Sequence, residues 1–203
     1  MDDWRVPDPS SLPPILEAAL ECFARGGYHG TSTRELAEAA GLSVPGLYHH
    51  YPSKQAILVD LDRFAMNSLW SRSNAALADG PQDSLSRFDR LIECLLLLHA
   101  QSATLAFVAF SEIRSLEPEF RAEHIASRDR QQSLLDEVVA DGVRDGYFST
   151  PHPRDAARAI TSICMGVSQW FRPDGELDPA GVAERYGEIC RQAAGYVGRA
   201  SSR

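Results

Sequence analysis

Apolar residues along this 203-residue chain recur at intervals of three and four, the spacing that lines one face of an α-helix. Ile15, Leu16, Ala19, Leu20 and Phe23 form the first stripe and predict a helix from about Pro13 to Arg25, ended by Gly26-Gly27. Leu36, Ala37 and Ala40 make a second, narrow face. Leu91, Leu95, Leu98, Phe107 and Phe110 supply an apolar centre, and Leu134, Leu135, Val138 and Val139 a further stripe. Two late stripes are long: Ala156, Ile160, Ile163, Cys164, Val167, Trp170 and Phe171, then Val182, Tyr186, Ile189, Cys190, Ala193 and Val197. Breakers stand at Asp79-Gly80-Pro81, Glu117-Pro118, Asp145-Gly146, Pro151-His152-Pro153 and Arg172-Pro173-Asp174-Gly175. No alternating period-two run lies between them, so the predicted fold is all-α.

The stretch from Thr33 to Tyr51 reads as helix, tight turn, helix. Thr33 is the expected N-cap of the first. Gly41 supplies the stop, where a residue tolerant of positive φ is needed. Ser43 caps the second helix, with Val44 and Pro45 at its first two positions, where the missing proline N–H costs nothing. Two short helices joined by a glycine turn are the arrangement that sets its second helix in a DNA major groove. Used for packing alone, the same pattern would be an αα-hairpin. Leu47 and Tyr51 are expected in the core, and Tyr28 tucked beneath it. Ser53 is expected to cap a long helix from Lys54 toward Ala78. The predicted organisation is a three-helix DNA-binding domain over 10–58 and a helical effector-binding and dimerisation domain over 59–200, with no flexible linker between them.

Composition narrows the chemistry. Hydrophobic residues make up 44% of the chain, enough for packed cores. The apolar runs are too short to cross a bilayer, and the acidic, proline-rich start resembles no signal or transit peptide, so a cytoplasmic protein with no membrane partner is expected. The four cysteines form no CxxC pair and read as buried thiols. The six histidines lack metal-ligand spacing, and no catalytic set can be nominated, so no metal, no cofactor and no enzymatic activity are expected. Net charge is −8. Residues 10–60 hold three Lys/Arg (Arg25, Arg34, Lys54) against five acids, which departs from the usual basic DNA reader. Phosphate contact must then come from helix N-termini, hydroxyls and a few cations, with a shallow salt dependence.

The segment from Ile15 to Leu58 resembles the DNA-binding domain of the tetracycline-repressor (TetR) family. Phe23, Gly27-Tyr28, Thr31-Ser32, Ala40-Gly41-Leu42-Ser43, Leu47-Tyr48, Tyr51 and Ser53-Lys54 carry the likeness. The resemblance implies a transcriptional regulator, most simply a repressor, acting as a homodimer on a pseudo-palindromic double-stranded operator, with the last two helices of each subunit pairing. It implies DNA contacts from Thr33, Arg34, Ser43, Val44, Pro45, Gly46, Tyr48, His49 and Lys54. Of the basic arm that many members carry before the first helix, only Arg5 is available.

Further on, Glu112-Ile113-Arg114-Ser115-Leu116, Arg128-Asp129-Arg130-Gln131, Gly146-Tyr147-Phe148 and the run from Ser168 to Leu177 are similar to TetR-type regulators of fatty-acid and steroid breakdown. Those respond to acyl-coenzyme A thioesters. An apolar tunnel from Phe107, Phe110, Leu134, Ile163, Val167 and Trp170 would hold the acyl group. Arg114, Arg121, Arg128 and Arg172 would meet the phosphates. The alternatives are an uncharged hydrophobic effector on the same fold, or an all-α acyl-CoA enzyme.

Overall fold

The computed structural model describes residues 3–6 and 12–198, and the outer edges of both predicted domains, 10–11 and 199–200, lie outside them. The helices are α1 (Pro14–Gly30), α2 (Thr33–Ala39), α3 (Val44–His50), α4 (Lys54–Ala78), α5 (Ser84–Gln101), α6 (Ala103–Ser111), α7 (Pro118–Arg144), α8 (Pro153–Trp170) and α9 (Pro179–Ala193). A 3₁₀ turn, Glu112–Ser115, precedes α7, and a lone antiparallel bridge joins Phe148 and Tyr196. Among the described residues there is no strand.

Contacts divide the chain into two compact units, each assembled from separate stretches. The first, here the reading unit, comprises Asp8–Ser68 and Thr104–Ser127. Its core gathers Leu16, Ala19, Cys22, Phe23, Leu36, Ala37, Leu47, Ile57, Leu58 and Leu61, joined by Leu105, Val108 and Leu116 from beyond the helix-turn-helix. Burying a side chain such as Phe23 or Leu47 is worth about 1.5–3 kcal/mol. Gly27, at φ 68°, breaks α1 where the glycine pair predicted its end, so that the Tyr28 ring returns to Phe23 with centroids 5.6 Å apart.

The second, the bundle unit, comprises Met1–Pro7, Leu69–Ala103 and Arg128–Arg203. In it α5 packs against α8 and α9 around Phe88, Leu91, Ile92, Leu96, Leu135, Val138, Ile160, Cys164, Val167 and Val182. The Phe148 ring stands edge-on to Phe88 at 4.7 Å and lies over Gly142 of α7, where a Cβ would come within 2.3 Å of it. Only glycine permits that approach.

Several expectations are corrected. The cap of α2 is Ser32, not Thr33: Ser32 Oγ accepts from the Glu35 amide at 3.2 Å and the Glu35 carboxylate accepts from the Ser32 amide at 2.7 Å. A cap at Thr33 would have Leu36 at the reciprocal position, which cannot answer. Phe107 and Phe110 do not enter an apolar centre; they are 39% and 51% exposed. The short α6 buries Leu105 and Val108, three apart, and this turns the two phenylalanines outward. The last helix stops at Ala193, because Gly195 turns with φ 74° and leaves Val197 exposed beyond it.

Candidate nucleic-acid interface

Helix α3 is built to show one side. Ser43 begins it, its hydroxyl accepting from the Gly46 amide at 3.1 Å. Gly41, at φ 67°, closes the preceding turn, and the Leu42 amide donates to the Ala37 carbonyl at 2.8 Å. Leu47 is buried to 1% exposure and Val44 is half-buried, so these two anchor the helix. Ser43, Pro45, Tyr48, His49 and His50 remain exposed, and Gly46 keeps the backbone between them low. Tyr51, expected in the core, is half-buried and packs against it, and desolvation, then Asp60, pushes its phenol above the ordinary range.

The exposed face therefore offers a hydroxyl, a proline ring, a phenol and imidazoles, with no guanidinium. Such groups meet thymine methyls, base edges and phosphates without a bidentate guanine contact. From α2, Arg34 is exposed and Thr33 half-buried. The Ser32 hydrogen bonds hold the Glu35 carboxyl below its usual range, so an anion fixed at the start of α2 stands on that side. His50 lies outside the predicted set; its ring meets that of His49 edge-on at 5.6 Å, and only its position one residue on marked it in the sequence.

Lys54 is placed differently from the expected phosphate grip. Its ammonium donates to the carbonyls of Tyr28 at 2.7 Å and Thr31 at 2.8 Å, and stands 4.2 Å from the centre of the Tyr28 ring. Two of its three donors thus close the corner between α1 and α2.

The predicted effector residues fall in both units. In the reading unit are Phe107, Phe110, Arg114 and Arg121; in the bundle unit are Arg128, Leu134, Ile163, Val167, Trp170 and Arg172. Arg121 is occupied: it donates to the carbonyls of Arg114 at 2.9 Å and Leu116 at 2.7 Å, and so holds the 3₁₀ turn. Arg128 lies on Asp129 at 3.0 Å, an exposed pair of neighbours. Arg114 and Arg172 are exposed, Leu134 and Ile163 half-buried and Val167 fully buried. Trp170 is 41% exposed and stacks on Tyr186 with centroids 5.0 Å apart, facing away from the core that Val167 enters. A groove of about 720 Å³ does occur in the bundle unit, lined by α5 and α9 through Glu93, Gln101, Glu184 and Arg191, with Arg5 beside them. None of the ten predicted residues lines it.

All four cysteines are buried free thiols. Burial pushes the Cys94 thiol up to about 12, and a hydrogen bond with Cys190 together with burial raises Cys164 well above its usual value. Among the described residues, no three His, Cys, Asp or Glu side chains converge on a metal position, and no single helix is long and apolar enough to cross a membrane.

Residues 15–61 match the family of bacterial regulatory proteins, tetR family, and residues 81–194 match the tetracyclin repressor-like C-terminal domain. The chain belongs to the tetR family. It is thus a DNA-binding transcriptional regulator rather than an enzyme. The chain is 29% identical over 178 residues to the HTH-type transcriptional repressor KstR2 of Mycobacterium tuberculosis, covering 85% of this chain and 86% of that one. A tetR-family regulatory protein of Rhodococcus RHA1 superposes with a TM-score of 0.84 at 31% identity, over 91% of this chain and 97% of that one. AibR, solved with isovaleryl coenzyme A and operator DNA, shares the fold with a TM-score of 0.79 at 24% identity, over 86% and 95% of the two chains.

Proposed function

We propose that this tetR-family regulator is a homodimeric repressor that reads a pseudo-palindromic operator through α3 and leaves it when an acyl-CoA thioester binds. The observation that carries the DNA reading is the outward face of α3, where Ser43, Pro45, Tyr48 and His49 stand free while Leu47 anchors the helix. One seven-residue helix reads few base pairs, so two copies set about one helical turn apart supply the specificity. The apolar side chains left exposed on the last two helices, Trp170 at 41% and Ile189 at 43%, support α8 and α9 as the self-complementary face.

The effector reading draws on likeness. The similarity to KstR2, a ketosteroid transcriptional regulator of Mycobacterium tuberculosis, extends through the C-terminal part of the chain. AibR, of the same fold, takes isovaleryl coenzyme A. The chemistry asks for an apolar lining with cations at its mouth, and in the bundle unit Arg172 is an exposed cation of the expected set. A second reading, an uncharged hydrophobic effector, is favoured by the engagement of Arg121 with backbone carbonyls.

Gel retardation of the DNA upstream of its own gene, with a panel of acyl-CoAs, the matched free acids and free CoA, separates these. A band lost only with a thioester supports the leading reading. A band lost equally with an uncharged apolar molecule added to the panel supports the second. A band indifferent to all of them removes the acyl-CoA assignment and leaves the regulator. Intact thioester after long incubation is expected throughout.

A further inference from the structure

Residues 3–6, ahead of α1 in the chain, belong to the bundle unit. Trp4 is 5% exposed and packs with Ala76, Cys94 and Leu97. Its indole N–H donates to Asp79 at 3.0 Å, and its carbonyl accepts from Arg72, itself buried, at 2.9 Å. The Arg5 carbonyl accepts from the Gln101 amide at 2.8 Å. The Arg5 guanidinium lies on Glu93 at 2.7 Å, 3.6 Å from Asp79 and 3.9 Å from the centre of the Trp4 ring. A tetrapeptide with a buried indole, two carbonyls engaged by side chains and an arginine between two carboxylates is docked specifically, not laid against a surface at random.

What the docking withholds is charge. Arg5 is the sole Lys or Arg in the stretch preceding α1, and residues 10–60 carry more acids than bases. It stands nine residues ahead of Pro14, and an extended chain of that length reaches about 30 Å at about 3.3–3.6 Å per residue. Undocked, Arg5 has the span to meet a phosphate beside the reading unit. Docked, it is neutralised by Glu93 and Asp79.

We infer that Asp3–Val6 is an autoinhibitory latch, in which the Trp4 socket keeps Arg5 from the DNA backbone and release of the latch adds one phosphate contact per subunit. The inference rests on the DNA-reading role of α3 and adds a term that tunes it. Each neutralised phosphate changes the slope of log K against log salt by about −0.9 on duplex DNA, so two latches per dimer would steepen it by about 1.8.

The test measures binding to a duplex enriched by the parent protein from a randomised library, between 50 and 200 mM salt. Trp4→Ala should bind more tightly at the low end and show the steeper slope. Trp4→Ala combined with Arg5→Ala should return to the parent slope, which a general change in folding or net fold stability would not produce. Should Trp4→Ala fail to fold, Asp79→Ala removes both the indole acceptor and one carboxylate of Arg5 from a half-exposed position. Its slope gain should likewise vanish with Arg5→Ala. Equal slopes for the parent and the folded latch variant overturn the latch alone. Failure of the parent to enrich any duplex overturns the latch together with the DNA reading on which it rests.

Discussion

Replacing Lys54 by methionine separates two tasks that one lysine is able to perform. The apolar stem survives, but the Tyr28 and Thr31 carbonyls lose a charged donor at 2.7 and 2.8 Å, and the Tyr28 ring loses its cation. A hydrogen bond to a charged group is worth about 1.5–3 kcal/mol, and an exposed cation–π contact about 0.5–1 kcal/mol. The side chain is half-buried and water can replace part of this, so the loss should be about 2 kcal/mol. At about 1.4 kcal/mol per tenfold, that is roughly a thirtyfold fall in the protection of α1–α3 amides against hydrogen exchange, where they open with the whole reading unit. DNA affinity would drop with it, but the salt slope would hold, because no phosphate contact is removed. The opposite result, unchanged exchange with a slope shallower by about 0.9 per subunit, would refute the clamp and restore Lys54 as a phosphate ligand.

Other substitutions test other links. Gly142→Ala pushes a methyl to within 2.3 Å of the Phe148 ring in a packed core, and should destabilise the bundle unit by about 1–3 kcal/mol, read as a lower thermal midpoint. Ser43→Ala removes the cap of α3, costs about 1 kcal/mol and should weaken operator binding while the fold by circular dichroism is kept. His99 gives a pH dependence. It is buried, its Nδ1 lies 2.7 Å from the Leu95 carbonyl, and desolvation lowers its pKa below the ordinary 6.5. The unfolded chain then binds the proton first, so its contribution is present above about 6.5 and is lost as pH falls below that value. Urea midpoints should decline from pH 7 to 5, and His99→Gln should flatten the decline.

What was legible in the sequence was whatever local chemistry decides. Gly41 and Ser43 each answer to their immediate neighbours, and the structure has them as the turn and the cap that their residue types require. Leu47 falls in the core because α3 is short and Val44 and Leu47, three apart, define its only apolar side. The cap of α2 stands one residue before the expected Thr33, and Glu35 three positions after Ser32 is the signal for it. Phe107 and Phe110 depart from expectation for another reason: an apolar helix with several hydrophobic faces does not announce which one is buried. The docking of Trp4 on Asp79 spans 75 residues, and no periodicity encodes a contact of that separation. The same holds for the reading unit's use of Leu105, Val108 and Leu116, which makes both units discontinuous in sequence.

The cations bear on how an acidic member of this family would read DNA. Of the 20 lysines and arginines, several that a sequence count would assign to phosphate are engaged within the protein. Lys54 and Arg121 serve backbone carbonyls, as does the buried Arg90 on Ala76 and Pro81. Arg5 lies on Glu93, Arg63 on Glu123 and Arg191 on Asp89. Within the reading unit Lys54, Arg63 and Arg121 are thus engaged, and Arg34 is the exposed cation nearest α3 along the chain. Binding should then rest on the fit of Pro45, Tyr48 and His49 in the groove, on helix N-terminal amides and on half-site spacing. A slope much shallower than the roughly −10 of a heavily charged repressor should follow. Substituting Arg34→Ala should remove about one contact per subunit from it, whereas Arg121→Ala should cost stability and leave the slope alone.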